Sequence, residues 1–387
     1  MNALLDRRHP TMRHLHGALL AVLIGLGLLV LTTDTAGATA FSQTNLVSDI
    51  AGLATITDAN LKNPWGVSES STSPFWVSDQ GTNLATLYRV TGGVVSKVSL
   101  EVAIPTTASG PQGPTGQVNN STSSFLVNGS PASFIFADLN GTISAWNNSA
   151  GTTAQIEATT PGAVYTGLAI GSSGPFLYAA NGAQSRIDVF NGSFGATSLA
   201  GNFLDPILPT GLVPFNVQTI GGNIYVTYAP AGRAAQISAP EGAGAVAVFD
   251  ANGNFVKQLI SGSKLASPWG ITLAPAGFGP FGGDLLVGNF SFVASEINVF
   301  DPVTGALLGT IPIDVGGNSP GGLWALTFGN GVAGGDPHVL YFTDGLNGEA
   351  DGLFASLSPV PEPSTLMLVG ISLAGLGWLT WRRGRCT

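Results

Sequence analysis

Through most of the chain, short apolar runs rich in Val, Ile, Phe, Tyr and Trp alternate with clusters of Gly, Pro, Asn and Ser. That texture predicts many short strands joined by tight turns. The strands recur in a fixed order. A turn-marked segment leads each unit: "PWGVSE" from 64, "PTGQVN" from 114, "YTGLAI" from 165, "PFNVQT" from 214, "PWGITL" from 268 and "LWALTF" from 323. Each is followed by a second strand ("FWVSD", "FIFAD", "LYAAN", "IYVTY", "LLVGN", "LYFTD") and a third ("ATLYRV", "TISAWN", "RIDVFN", "AVAVFD", "EINVFD", "GLFASL"). Several units show a fourth, as in "VVSKVSLEV", "NFVKQLI" and "ALLGTI". Trp65, Thr115, Thr166, Phe215, Trp269 and Trp324 occupy the same place in successive units, at spacings of 50, 51, 49, 54 and 55 residues.

Four strands per unit at this period predict an all-β, six-bladed β-propeller, in which each blade buries its faces against its neighbours. Asn-Gly pairs at Asn128, Asn140, Asn191 and Asn252 fit antiparallel hairpins within the blades. The sixth unit lacks an outermost strand, because the chain runs from "GLFASL" straight into Pro359. The unassigned "TNLVSDI" at 44–50 can supply it, closing the ring with strands from both ends and removing an exposed edge.

The two ends have a different texture. Arg7, Arg8 and Arg13 precede an uncharged apolar run at 18–31, and Ala38-Thr39-Ala40 follows before Phe41. A basic stretch, an apolar core and a small-x-small site predict a secretory signal peptide over 1–40, cleaved between Ala40 and Phe41. At the other end, residues 365–381 are apolar and uncharged, and Arg382, Arg383 and Arg385 follow. The run is long enough to cross a bilayer core, and the arginines would keep its end on the cytoplasmic side. Pro361, Glu362 and Pro363 stand immediately before it. Motif, helix and basic end together resemble the PEP-CTERM sorting signal of Gram-negative bacteria. That resemblance implies an exosortase as processing partner, a transient stay in the inner membrane over 359–387, and final delivery to the cell surface or medium. It also associates the protein with exopolysaccharide.

Trimming both ends leaves a propeller domain at 41–358, with seven of the thirteen Lys and Arg and nineteen of the twenty-two Asp and Glu, a charge near −12. Such an excess argues against nucleic acid or anionic lipid as a partner. The single cysteine, Cys386, lies beyond the sorting helix, so no disulfide framework is expected in the domain. His9, His14 and His16 leave with the leader. The one remaining histidine, His338, is placed on the face opposite the second-strand ends, and Ser-His-Asp or His-Cys zinc arrangements lack their parts.

In a propeller, the loops leading into the innermost strands and those leaving the second strands open on one face. Asp79, Asp138, Asn181, Asn289 and Asp344 end the second strands, with Tyr228 in the fourth unit; Asn63, Trp65, Trp269 and Trp324 sit where the inner strands begin. A ring of short oxygen-bearing side chains suits calcium or sugar hydroxyls, and indoles suit sugar faces. The same Asp and Asn side chains can equally shape their own turns, and the tryptophans can pack between blades. The long "APAGRAAQISAPEGAG" at 229–244 interrupts the fourth unit and is expected to project from this face, making it the preferred binding rim.

The body also resembles uncharacterised secreted bacterial proteins that open with Asn-Pro-Trp-Gly, here Asn63–Gly66, and more distantly NHL-repeat and gluconolactonase-like propellers. The last use a glutamate at the first inner strand in a calcium site, where this chain has Asn63-Pro64-Trp65. The leading expectation is therefore an exported, non-enzymatic propeller with a binding or structural role in the extracellular matrix. The alternative is a calcium-dependent hydrolase of the lactonase type using Asp79, Asp138 and Asp344.

Overall fold

The computed structural model of the protein describes residues 41–107, 110–172 and 174–360. The expected leader, the Pro361-Glu362-Pro363 motif and the helix at 365–381 lie outside these residues. Six largely antiparallel units, four of them four-stranded and the first and last five-stranded, follow one another around an axis. Their innermost strands are Pro64–Ser68, Pro114–Asn119, Tyr165–Ile170, Leu212–Ile220, Pro268–Leu273 and Gly322–Phe328. The fold is a six-bladed β-propeller. Helix is nearly absent among the described residues: one short segment, Arg233–Ile237, and two single-turn 3₁₀ pieces.

Ring closure is made by the N-terminal strand Phe41–Ser48, which pairs antiparallel with Asp351–Pro359 from Phe41 opposite Pro359 to Ser48 opposite Leu353. A bulge between Asn45 and Val47 re-aims the strand, so Leu46 and Val47 are both buried. The strand begins three residues earlier than the alternation around "TNLVSDI" suggests, because Phe41 packs on Phe278 and Phe281, with centroids 4.7 and 5.9 Å away. A further pair of residues, Ile56–Thr57, adds in parallel to its outer edge. Outer strands are otherwise uneven; the third blade ends in only Ala196–Thr197.

Blades pack face to face through apolar side chains that alternate along each strand. Between the second and third blades lie Ile135, Ala137 and Ile143 against Tyr165, Leu168 and Leu177. In four of the six units a Gly follows the aromatic or Thr position, and there the inner strands approach closely. A Cβ at Gly116 would overlap the Leu168 amide, and one at Gly270 would overlap the Trp324 carbonyl. Side chains then stitch strand to strand: Thr115 Oγ1 donates to Tyr165 O (2.8 Å), Asn216 Nδ2 to Trp269 O (2.9 Å) and Thr343 Oγ1 to Trp65 O (2.7 Å). A tight axis is the result.

Candidate functional site

The second-strand residues expected at the mouth are brought to one face but not to one point. Asp138 Oδ2 accepts from Gly113 N (3.2 Å), Asn181 Oδ1 from Val164 N (3.4 Å), Asn289 Oδ1 from Ala266 N (2.9 Å) and Asp344 Oδ1 from Gly322 N (3.2 Å). Each thus fastens the start of its own blade's inner strand or the loop leading into it, Asn289 with a second bond from its Nδ2 to Lys264 O (2.8 Å), and all four are buried. Asp79 instead accepts from Thr86 Oγ1 at 2.7 Å. Among the described residues no group of three or more His, Cys, Asp or Glu side chains is arranged to hold a metal ion. Burial pushes Asp344 up to about 8 and Asp138 up to about 6, and raises Asp79 well above the usual carboxylate range. Tyr228, in the fourth blade, is buried with its hydroxyl unpartnered.

The tryptophans build the floor of the mouth. Trp65 stacks on Trp324 with centroids 3.5 Å apart, Phe290 stacks on the same indole at 4.4 Å, and Trp269 meets both tryptophans edge-on. Trp269 Nε1 donates across the axis to Thr166 O (2.7 Å), and Trp324 Nε1 donates to Asn63 Oδ1 (3.0 Å). Trp65 Nε1 is buried and has no partner. Little indole surface reaches solvent: Trp324 is fully buried and Trp65 and Trp269 are 3 and 4 % exposed.

The insertion in the fourth blade does not project as its length suggests. It turns inward at Gly232 and forms the helix Arg233–Ile237, helped by Ala234, Ala235 and Gln236, which favour helix. The fifth blade's loops pin it down: Ser267 Oγ donates to Gln236 O (3.0 Å), Phe292 N to Ile237 O (3.0 Å) and Ser291 Oγ to Ala239 O (2.6 Å). Arg233 is thereby laid over the aromatic floor, its guanidinium carbon 4.2 Å from the Phe290 ring centroid, 5.6 Å from Trp324 and 5.9 Å from Trp65. Rings attract a cation placed in this way. Burial draws the guanidinium down to about 10, so it stays charged at neutral pH.

Glu349 reaches Arg233 from the sixth blade and pairs through one oxygen and one nitrogen, Oε2 with Nη2. The other halves of both groups, Arg233 Nη1 and Glu349 Oε1, are buried and unpartnered. A guanidinium and a carboxylate ordinarily meet fork to fork through two parallel bonds; here half of the fork is open. Glu349 holds a left-handed backbone (φ 72°), as does Asn63 (φ 44°), a conformation that costs a non-glycine residue and that clusters at binding sites. A cavity of about 430 Å³ opens beside the pair. Asn63, Trp65, Gln80, Arg233, Gln236 and Glu349 supply its polar points, and Pro111, Leu139 and Val164 its apolar walls.

Of the residues singled out from sequence, Asn63 and Trp65 line this cavity; Asp79, Asp138, Asn181, Asn289 and Asp344 lie outside its lining, as do Trp269 and Trp324, which stand beneath it. Arg233, Glu349 and Gln80 were missed. A signal for Arg233 existed, a lone cation inside the one long insertion of a charge-poor body. Nothing in the sequence marks Glu349.

This is an exported β-propeller carrying a sorting tail: the PEP-CTERM protein-sorting motif matches residues 359–383, which implies export and processing by an exosortase. Among the described residues no helix is long and apolar enough to cross a membrane. The chain belongs to the family of Uncharacterized protein R648 of Acanthamoeba polyphaga mimivirus, with 30% identity over 334 residues covering 81% of this chain and 78% of the relative. A second uncharacterized mimivirus protein is 29% identical over 81% of this chain and 84% of its own length. Among solved structures, a Bacteroides thetaiotaomicron protein of unknown function superposes with a TM-score of 0.51 at 11% identity, covering 82% of this chain and 76% of that one, a likeness of fold. Virginiamycin B lyase of Staphylococcus aureus gives 0.49 at 12% identity, over 83% and 99% of the two chains.

Proposed function

We propose that this protein, freed of residues 1–40 and of its tail, binds a neutral glycan of the extracellular matrix at the mouth capped by Arg233 and Glu349. The observation that carries this reading is the half-open ion pair. A single sugar hydroxyl can accept from Arg233 Nη1 while donating to Glu349 Oε1, and Trp65 Nε1 offers a further donor. The apolar walls suit the C–H face of a pyranose, and about 430 Å³ accommodates one or two sugar units. A domain charge near −12 disfavours a polyanionic polymer. The export and exosortase processing that the sorting motif implies are in keeping with a ligand met outside the cell.

The test is isothermal titration with neutral and uronic-acid oligosaccharides, on the parent and on Arg233→Gln and Glu349→Gln. A neutral oligosaccharide is expected to bind, and each substitution to weaken it at least about tenfold, because a buried hydrogen-bond partner to a charged group is worth roughly 1.5–3 kcal/mol. Binding unchanged in both variants, no binding of any neutral glycan, or calcium-dependent turnover of a lactone panel by the parent would overturn the reading.

A further inference from the structure

The axis has a second mouth, at the far ends of the inner strands. A cavity of about 300 Å³ opens there, lined by Ser68, Glu69, Gln117, Asn119, Gln218 and Thr327 with apolar side chains between them. Glu69 follows directly on the first inner strand, Pro64–Ser68. Its Oε1 has one long contact, from Thr327 Oγ1 at 3.5 Å, and its Oε2 is buried without a partner. Two more oxygens of the same lining are in that state, Gln117 Oε1 and Ser68 Oγ.

The orientation of Gln117 is not open to exchange. Its Nε2 donates to Gly66 O and to Trp76 O, both at 2.7 Å, so the amide oxygen must be the free atom. Three residues of the lining thus carry a buried oxygen with no partner, and no lysine or arginine lines the cavity to donate to them. Buried acceptors left unpaired are costly, and a carboxylate most of all. Burial has pushed Glu69 up to about 8.

We infer that this far mouth binds a primary ammonium group. Such a group carries N–H donors for unpaired oxygens and a single positive charge to match the one carboxylate of the lining. Val67, Val118 and Ile170 flank the cavity and give an alkyl stem or a sugar carbon a surface to lie on. The ligand is thus an amine of modest size, free or as the end of a lysine side chain. This site is independent of the glycan reading, which concerns the opposite mouth.

The test uses propylammonium, glucosamine and Nα-acetyl-lysine methylamide as probes at pH 8, with melting temperature and titration calorimetry as readouts on the full protein. At ten times its Kd a bound probe is expected to raise Tm by roughly 2–4 °C. Glu69→Gln removes the charge at constant shape and is expected to abolish the rise, whereas Glu349→Gln is expected to keep it. If Glu69→Gln is poorly folded, Ser68→Ala, which removes one acceptor, is expected to weaken binding several-fold. A response only from the lysine compound identifies a side chain as the source, and one from propylammonium or glucosamine a free amine. No saturable response to any amine, a response undiminished in Glu69→Gln and Ser68→Ala, or a response to calcium or sodium alone overturns the inference.

Discussion

Replacing Asp344 by Asn tests the claim that the second-strand carboxylates are structural and largely uncharged. Asp344 is fully buried; Oδ1 accepts from Gly322 N and Oδ2 has no partner. Burial moves its pKa from 3.8 to about 8. Between these values the folded protein holds a proton that the unfolded chain has released, so unfolding loses a proton and stability falls as pH rises. The contribution is complete below pH 3.8 and gone above about 8. Roughly four units at about 1.4 kcal/mol each come to about 6 kcal/mol, a large part of the 5–15 kcal/mol typical of a domain. Asn has the shape of the protonated acid, keeps the acceptor for Gly322 and cannot ionise. The variant is therefore expected to match the parent at and below about pH 3.8, and to exceed it by roughly 1.5 kcal/mol at pH 5 and about 5 kcal/mol at pH 8. Urea unfolding followed by tryptophan fluorescence at a series of pH values from below 3.8 to 8 measures these differences. The difference between the two proteins cancels the slopes from Asp79, Asp138 and Glu69. Parallel pH dependences, or a variant less stable at pH 8, would refute the reasoning.

The other consequences concern carboxylates, closure and processing. The triple change Asp79→Asn, Asp138→Asn and Asp344→Asn is expected to show additive effects on stability, since each side chain bonds within its own blade; coupling together with a calcium-dependent Tm rise lost in the triple variant would restore a shared cation. A truncation beginning at Ile56 removes the closing strand, exposes the length of Asp351–Pro359 and is expected to lose cooperative unfolding; a melt like the parent's would refute the closure. Intact mass of the secreted protein is expected to begin at Phe41 and to lack the segment beyond Pro363, and recovery of a full-length membrane species in a host with an active exosortase would contradict this.

What the sequence determined by itself was whatever is written locally. Each blade is an antiparallel meander whose strands follow one another in the chain, so the period, the turns and the number of blades can be read without tertiary information. Closure by the N-terminal strand was legible too, because the sixth unit is one strand short and an unpaired edge has a cost; only its start at Phe41 needed the partners Phe278 and Phe281. The sorting tail is a short linear motif and needs no fold to be recognised.

The site is another matter. Arg233 belongs to the fourth blade and Glu349 to the sixth, and only the ring brings them together over one floor. Whether an Asp at a strand end faces a ligand or ties its own loop depends on a single amide of the preceding segment, as Gly113 shows for Asp138 and Gly322 for Asp344. Trp65, Trp269 and Trp324 recur at the right places for either stacking on a ligand or packing on each other. The narrow axis, imposed where Gly116 and Gly270 let the inner strands touch, decides for packing and leaves the polar edge of the mouth to residues that no local pattern marks. Hydrogen-bond satisfaction is a property of the assembled structure, and so the orphaned atoms at both mouths could be found only there.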